Sequence, residues 1–253
     1  MLRGLSARLD IKRDVVALSL ARLGDAIGNS LLFVVIPLYV ARMPAPWFPF
    51  SETIRVGILI SAYGVFSAIG EPLSGALIDR AGRSKLMIQL GLAVMAGSLL
   101  AYIPVHRHGW LLALRCVQGI GLAITVPAAL ALMAAITRTE TRGRAMGFYS
   151  AMRMLGIAIG PLVGGFVQVR FGFSATFIVG AACVALTILL VEVWVSEPHR
   201  REAQEPRAPT GGPGFFDRRI WSSGVVGSGV AMLSMASAFT LIATLEKQFN
   251  QML

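Results

Sequence analysis

Apolar runs of about 20 residues recur seven times in this chain, near residues 15–41, 56–78, 86–105, 110–136, 145–167, 173–195 and 220–245. One such run can be a buried helix of a soluble core. Seven in series leave too little polar surface for a soluble fold, so the spacing predicts a multi-pass, all-α membrane protein. Composition agrees: charged residues are 14% of the chain, hydrophobic residues are 55%, and mean hydropathy is +0.70. Ordinary soluble domains carry about 25% charged residues. The first run exceeds a signal-peptide core and contains Arg22 and Asp25, so it reads as a mature span.

The formal net charge of +10 raises the question of nucleic acid, and the placement of the charges answers it. With loops assigned alternately to two sides, the N-terminal side holds Arg3, Arg8, Lys12, Arg13, Arg80, Arg83, Lys85, Arg138, Arg142, Arg144, Arg200, Arg201, Arg207, Arg218 and Arg219. The other side holds Arg42, Arg55, Arg107, Arg170 and Lys247. Cytoplasmic loops of membrane proteins are enriched in Lys and Arg, which predicts a cytoplasmic N-terminus in a cell (inner) membrane. The basic residues then face anionic headgroups, and no nucleic-acid partner is expected. Cys116 and Cys183 fall inside apolar runs and read as small hydrophobes. His106, His108 and His199 read as loop residues, and neither a metal site nor an ATP-binding Gly-rich loop is expected. An ion gradient is therefore the expected energy source, with no cofactor and no enzymatic chemistry.

Residues 197–219 are rich in charge, Pro and Gly and read as a linker. The expected organisation is an N-terminal segment (1–14), a six-helix domain (15–195), a cytoplasmic linker (196–219) and the first helix of a further domain (220–253). Within the six-helix unit, IGEPLSGALIDRAG (69–82) aligns without gaps on IGPLVGGFVQVRFG (159–172). The identities are Ile69/Ile159, Gly70/Gly160, Gly75/Gly165, Arg80/Arg170 and Gly82/Gly172. The two copies end spans of opposite direction, which predicts two inverted three-helix groups, an arrangement recurrent in secondary transporters.

Three motifs sit on this frame. GALIDRAGR fits G-x-L-x-D-R-x-G-R at Gly75, Leu77, Asp79, Arg80, Gly82 and Arg83. In the fourth span, Arg115, Gln118, Gly119 and Gly121 fit R-x-x-Q-G-x-G. In the fifth, Gly156, Gly160, Pro161, Gly164 and Gly165 fit G-x-x-x-G-P-x-x-G-G. In family order and on the expected helices, they make the chain resemble the major facilitator superfamily, and within it the drug:proton antiporter branch. The resemblance implies a twelve-span carrier, of which this chain holds the first half and the seventh helix. A missing C-terminal half is then an implied partner, and this chain is expected to be incomplete and inactive alone. It also implies a gating role for Asp79 and its neighbouring arginines, a proton-coupling role for Arg115, and packing of the fifth-span glycines against a helix of the second half.

Read as chemistry, the small residues of the fifth span permit close helix approach where lipid supplies no hydrophobic drive. A simple helix-pairing face is the alternative, which Pro161 and the paired Gly164 and Gly165 make the weaker reading. Arg115 needs a partner or a water-filled cavity inside the bilayer, unless it snorkels to the interface. Arg22, Asp25 and Asn29 share a face of the first span. Asp25 is the candidate proton carrier there, with a structural ion pair to Arg22 as the alternative. Glu71 and Arg153 fall at a similar depth, so a charge-balanced network of Arg22, Asp25, Glu71 and Arg153 is expected. The predicted function is proton-coupled antiport of a small amphipathic or cationic molecule, the cationic option resting on Asp25 and Glu71. A symporter or uniporter for sugars or organic acids, and a half-length scaffold without transport, are the alternatives.

Overall fold

The computed structural model describes residues 13–42 and 51–195. Every regular element among them is a helix: α1 (Arg13–Ser30), α2 (Leu32–Ala41), α3 (Glu52–Ala81), α4 (Ser84–Ala101), α5 (His108–Ile136) and α6 (Thr139–Trp194). This is what lipid demands, since each helix satisfies its own backbone groups without water. The N-terminal segment before residue 13, the linker and the seventh apolar run lie outside the described residues.

Five stretches are long and apolar enough to cross a membrane: Arg13–Ala41, Glu52–Ile78, Ser84–Ala101, His108–Ile136 and Thr139–Trp194. The first joins α1 and α2. Leu31 between them stays in the right-handed helical region, and Leu31 N–H still donates to Ile27 O at 3.2 Å. The hydrogen-bond ladder is continuous, and the division is slight.

The last stretch is longer than one crossing. Its 56 residues would extend about 84 Å as a straight helix, against roughly 30 Å of hydrocarbon. Gly172 interrupts it, with φ 83° and ψ −177°. Along the first arm, Gly156 abuts Leu23 and Ala26, Gly160 abuts Ile27 and Ser30, and Gly164 abuts Leu31. Along the second arm, Gly180 abuts Leu31 and Gly28, while Thr187 abuts Gly24. One arm climbs α1 and the other descends it, so the chain reverses at Gly172. The two apolar runs 145–167 and 173–195 correspond to these arms.

Gly82 plays the matching part at the end of α3. With φ 61° and ψ 21° it adopts the left-handed conformation, and its N–H donates to Ile78 O at 2.9 Å. Gly82 and Gly172 are the positive-φ glycines among the described residues. They are also the last aligned pair of the sequence repeat.

The glycine stripe of the fifth span corrects one expectation. A Cβ at Gly156 would lie 2.7 Å from Leu23 O, and one at Gly160 would lie 2.9 Å from Ile27 O. Gly156, Gly160 and Gly164 are therefore spent inside this unit, where α6 meets α1 and Leu31. They do not wait for a helix of a second half. Gly165 alone of the motif's glycines has open space at its Cβ position. His108 is a second correction. It opens α5 and is buried, where a loop was expected.

Candidate functional site

The centre of the helical unit holds a polar group in apolar surroundings. Arg22 Nη1 donates to Asp25 Oδ2 at 2.5 Å, one helical turn apart on α1, and both side chains are buried. Asn29 Nδ2 donates to Asp25 Oδ1 at 2.7 Å and to Asp25 O at 2.9 Å. The i, i+3 and i, i+4 spacings place all three on one face. The Arg22 guanidinium lies 5.9 Å from the Tyr149 ring centroid on α6. A small cavity borders the pair itself, lined also by the apolar Leu18, Ala21, Ile88, Leu92, Ala129 and Val191 and by Thr125, Tyr149 and Thr187. Asp25 is thus a carboxylate held by one cation and one amide, away from bulk water.

A second polar group sits on α5. Arg115 is 2% exposed and Gln118 is fully enclosed. Arg115 does not snorkel. Its Nη1 donates to Gln118 Oε1 at 3.3 Å, and the same oxygen accepts from Tyr102 OH at 3.0 Å. The guanidinium carbon lies 5.7 Å from the Tyr63 ring centroid. Tyr102 connects the group to an aromatic cluster, stacking on Phe177 at 5.3 Å. Phe177 in turn meets Tyr39 edge-on at 5.4 Å, and Tyr39 OH donates to Val105 O at 2.7 Å.

The remaining expected site residues are dispersed. Glu71 Oε1 accepts from Ser67 at 3.0 Å. Among the described residues, no hydrogen bond or ion pair joins Glu71 to Arg153, but Arg153 lies within electrostatic reach of both Arg22 and Asp25, so three of the four expected charges lie together and Glu71 stands apart. Of the loop motif, Asp79 lies in the last turn of α3, Gly82 caps that helix, and Arg80 and Arg83 are exposed. Gly75 has open space at its Cβ position, as Gly165 does. Pro161 lies within the first arm of α6, whose break falls at Gly172 instead.

Sequence reasoning missed three things. Tyr63, Tyr102 and Tyr149 line the two arginines, yet a lone Tyr near a span end carries no pattern that points inward. Lys85 and Glu192 form an ion pair at 3.1 Å, and Gln89 donates to Glu192 at 2.5 Å. These partners are about a hundred residues apart, beyond any local spacing rule. Ser30 Oγ donates to Gly156 O at 3.1 Å, a tie between helices that only their contact reveals.

Comparison with known proteins agrees with this architecture. The family model described as Major Facilitator Superfamily matches residues 18–251. Over 195 residues the chain is 33% identical to the multi-drug resistance efflux pump PmrA of Streptococcus pneumoniae, covering 72% of this chain and 47% of the pump. Multidrug resistance protein 2 of Bacillus subtilis is 32% identical over 180 residues, covering 69% and 43% respectively. Among solved structures, the human organic anion transporter MFSD10 (TETRAN) superposes with a TM-score of 0.62 at 21% identity, over 73% of this chain and 47% of that one. The chain spans about half the length of the relatives it matches. With its membrane-spanning helices, its three motifs and this match over most of its length, the chain is a multi-pass membrane protein that belongs to the major facilitator superfamily.

Proposed function

We propose that this chain is the N-terminal half of a proton-coupled antiporter that exports a small amphipathic molecule. The half comprises six crossings in two inverted groups of three, the fifth and sixth being the arms of α6. A seventh helix would begin the second half, with the N-terminus cytoplasmic. The observation that carries the reading is Asp25, a carboxylate enclosed among helices and held by Arg22 and Asn29. An intramembrane acid of this kind can exchange a proton when its surroundings change, and intramembrane acids mark ion pathways. Arg115, with Gln118, serves as the second coupling element, and the loop of Asp79, Arg80 and Arg83 as the gate against the missing half. The multidrug names of the relatives support export of amphipathic compounds.

The test uses proteoliposomes of a complete carrier containing this sequence, loaded with a pH-sensitive dye. Ethidium addition should move protons opposite to ethidium, and Asp25→Asn should abolish that movement while ethidium still binds. Proton movement in the same direction as substrate would establish symport instead. The intact mass of the protein in its native membrane is the companion measurement. About twice 27.0 kDa fits a twelve-span carrier, and a mass near 27.0 kDa would refute the half-carrier reading.

A further inference from the structure

At one end of the unit the connections 42–55, 102–110 and 168–173 hold Arg42, Arg55, Arg107 and Arg170 against one acid, Glu52. Contacts place these connections at the same end. Tyr39 OH donates to Val105 O at 2.7 Å, Arg42 lies 5.0 Å from the Phe173 ring centroid, and Arg55 is within electrostatic reach of His108. Arg55 Nε and Nη1 are enclosed without a hydrogen-bond partner. No ion pair to Arg55 or Arg107 is found among the described residues. On the side that the charge count leaves poor in Lys and Arg, this end is locally positive.

Between α4 and α5 the chain forms an open recess of about 370 Å³, bordered by Pro104, Val105, His106, Arg107 and Trp110. That volume is within the range of small-molecule sites. The backbone around it is fixed: Val105 N–H donates to Tyr102 O at 3.2 Å, and Trp110 N–H to Arg107 O at 3.2 Å. His106 and Arg107 are exposed, and Trp110 is 65% exposed. Further along α5, Ala113, Val117 and Ile120 are exposed too, at successive spacings of three, four and three residues from Trp110. They therefore continue one face of the helix. From Trp110 to Ile120 this apolar track runs about 15 Å, half of the roughly 30 Å of hydrocarbon. A basic recess thus tops an apolar track one leaflet deep.

We propose that this recess seats the headgroup of an anionic phospholipid, with one acyl chain lying along Trp110, Ala113, Val117 and Ile120. The Arg107 guanidinium and a His106 ring N–H donate to the phosphodiester, a charge-assisted arrangement suited to an oxyanion. Trp110 suits the boundary between headgroup and chain, having an apolar body and an N–H donor. A soluble phosphate would fill the recess and leave the track bare. A zwitterionic lipid would cover the track but bring its own cation to a basic cluster. An anionic lipid matches both. The seat also bears on the interior, because Pro104 and Val105 closely follow Tyr102, whose OH donates to Gln118. A lipid held here steadies the connection on which that bond depends. The assignment needs only a chain that spans a membrane, and it stands apart from the antiport reading.

The test reads lipid preference without flux, so its outcome is independent of transport. Trp47→Phe, Trp194→Phe and Trp221→Phe leave Trp110 as the single indole. This chain is reconstituted in phosphatidylcholine nanodiscs that contain either acyl-brominated phosphatidylglycerol or acyl-brominated phosphatidylcholine at equal mole fraction. Quenching of Trp110 fluorescence reports the lipid at the recess. Phosphatidylglycerol should associate at least about fivefold more strongly, the factor that one basic residue near an anionic lipid contributes. R107Q should lower that preference by about fivefold. R170Q, at the same end but outside the recess, should keep it. Soluble glycerophosphate at millimolar concentration should not compete. Equal quenching by the two lipids would overturn the site, as would a preference that survives R107Q or falls as far in R170Q. Glycerophosphate competing as well as unbrominated phosphatidylglycerol would show a free-phosphate site and overturn the lipid assignment.

Discussion

Asp25 and Arg22 are buried together, so the consequences of altering them depend on whether one or both change. Burying an ion is costly, and the partner's field offsets that cost only while the pair is intact. Asp25→Asn leaves a guanidinium enclosed with an amide in place of its counter-charge. It should destabilise the helical unit by about 3–5 kcal/mol, read as a lowered midpoint in denaturant unfolding of the reconstituted protein. Arg22→Met combined with Asp25→Leu removes both charges and should recover most of that loss. Simple addition of the two single losses in the double variant would show that the side chains do not act as a pair. This pair was legible in the sequence because a three-residue spacing on a helix leaves little choice of neighbour. The Tyr102–Gln118 bond was not, because the two residues meet only when the end of α4 packs on α5.

Between helices, glycines of one motif have opposite roles. Gly160 and Gly165 belong to the same ten-residue pattern, yet one is enclosed and the other open. A methyl group at Gly160 would fall 2.9 Å from Ile27 O and 3.0 Å from Leu31 N, both backbone atoms that cannot turn aside. Gly160→Ala must then push α6 away from α1, at about 1–3 kcal/mol, the usual range for overpacking. Gly165→Ala meets nothing within 4 Å and should leave stability unchanged. Comparing the two unfolding midpoints tests whether the stripe packs within this unit. The turn glycines make a second contrast. Gly82 sits in the left-handed region that other residues enter at modest cost, whereas Gly172, at φ 83° and ψ −177°, occupies a region left almost wholly to glycine. Gly172→Ala should therefore cost more than Gly82→Ala, by about 1–3 kcal/mol for the former. A larger loss in the Gly82 variant, measured by the same unfolding, would contradict this backbone account.

At the level of the whole molecule, the spans were legible because lipid leaves an apolar run little alternative to a helix. The reversal within α6 was legible as the gap between the apolar runs 145–167 and 173–195, although the connection around Gly172 is too short to form a loop. What hydropathy could not supply was which helices meet, since partners such as Lys85 and Glu192 lie far apart in the chain and lipid-facing and buried apolar residues look alike. The contacts now constrain the number of crossings. The Arg13 guanidinium lies 5.4 Å from the Trp194 ring centroid, so the start of α1 and the end of α6 share one side of the unit. Arg42 lies 5.0 Å from the Phe173 ring centroid, so the end of α2 and the reversal of α6 share the other. A chain that begins and ends on one side would cross an even number of times, which under the proposed six-crossing arrangement means that α6 crosses twice. Single cysteines at Arg83 and Trp194 should therefore react with a membrane-impermeant maleimide from one face of sealed vesicles, and cysteines at Arg107 and Arg170 from the opposite face, with Cys116 and Cys183 replaced by Ala. These four positions are exposed at the ends of helices, so access depends on the side of the membrane. In the proposed topology the Arg83 and Trp194 side is the cytoplasmic one, as the positive-inside rule expects. Labelling of Trp194→Cys from the same face as Arg107→Cys would mean that α6 crosses only once, and the even-numbered arrangement would have to be abandoned.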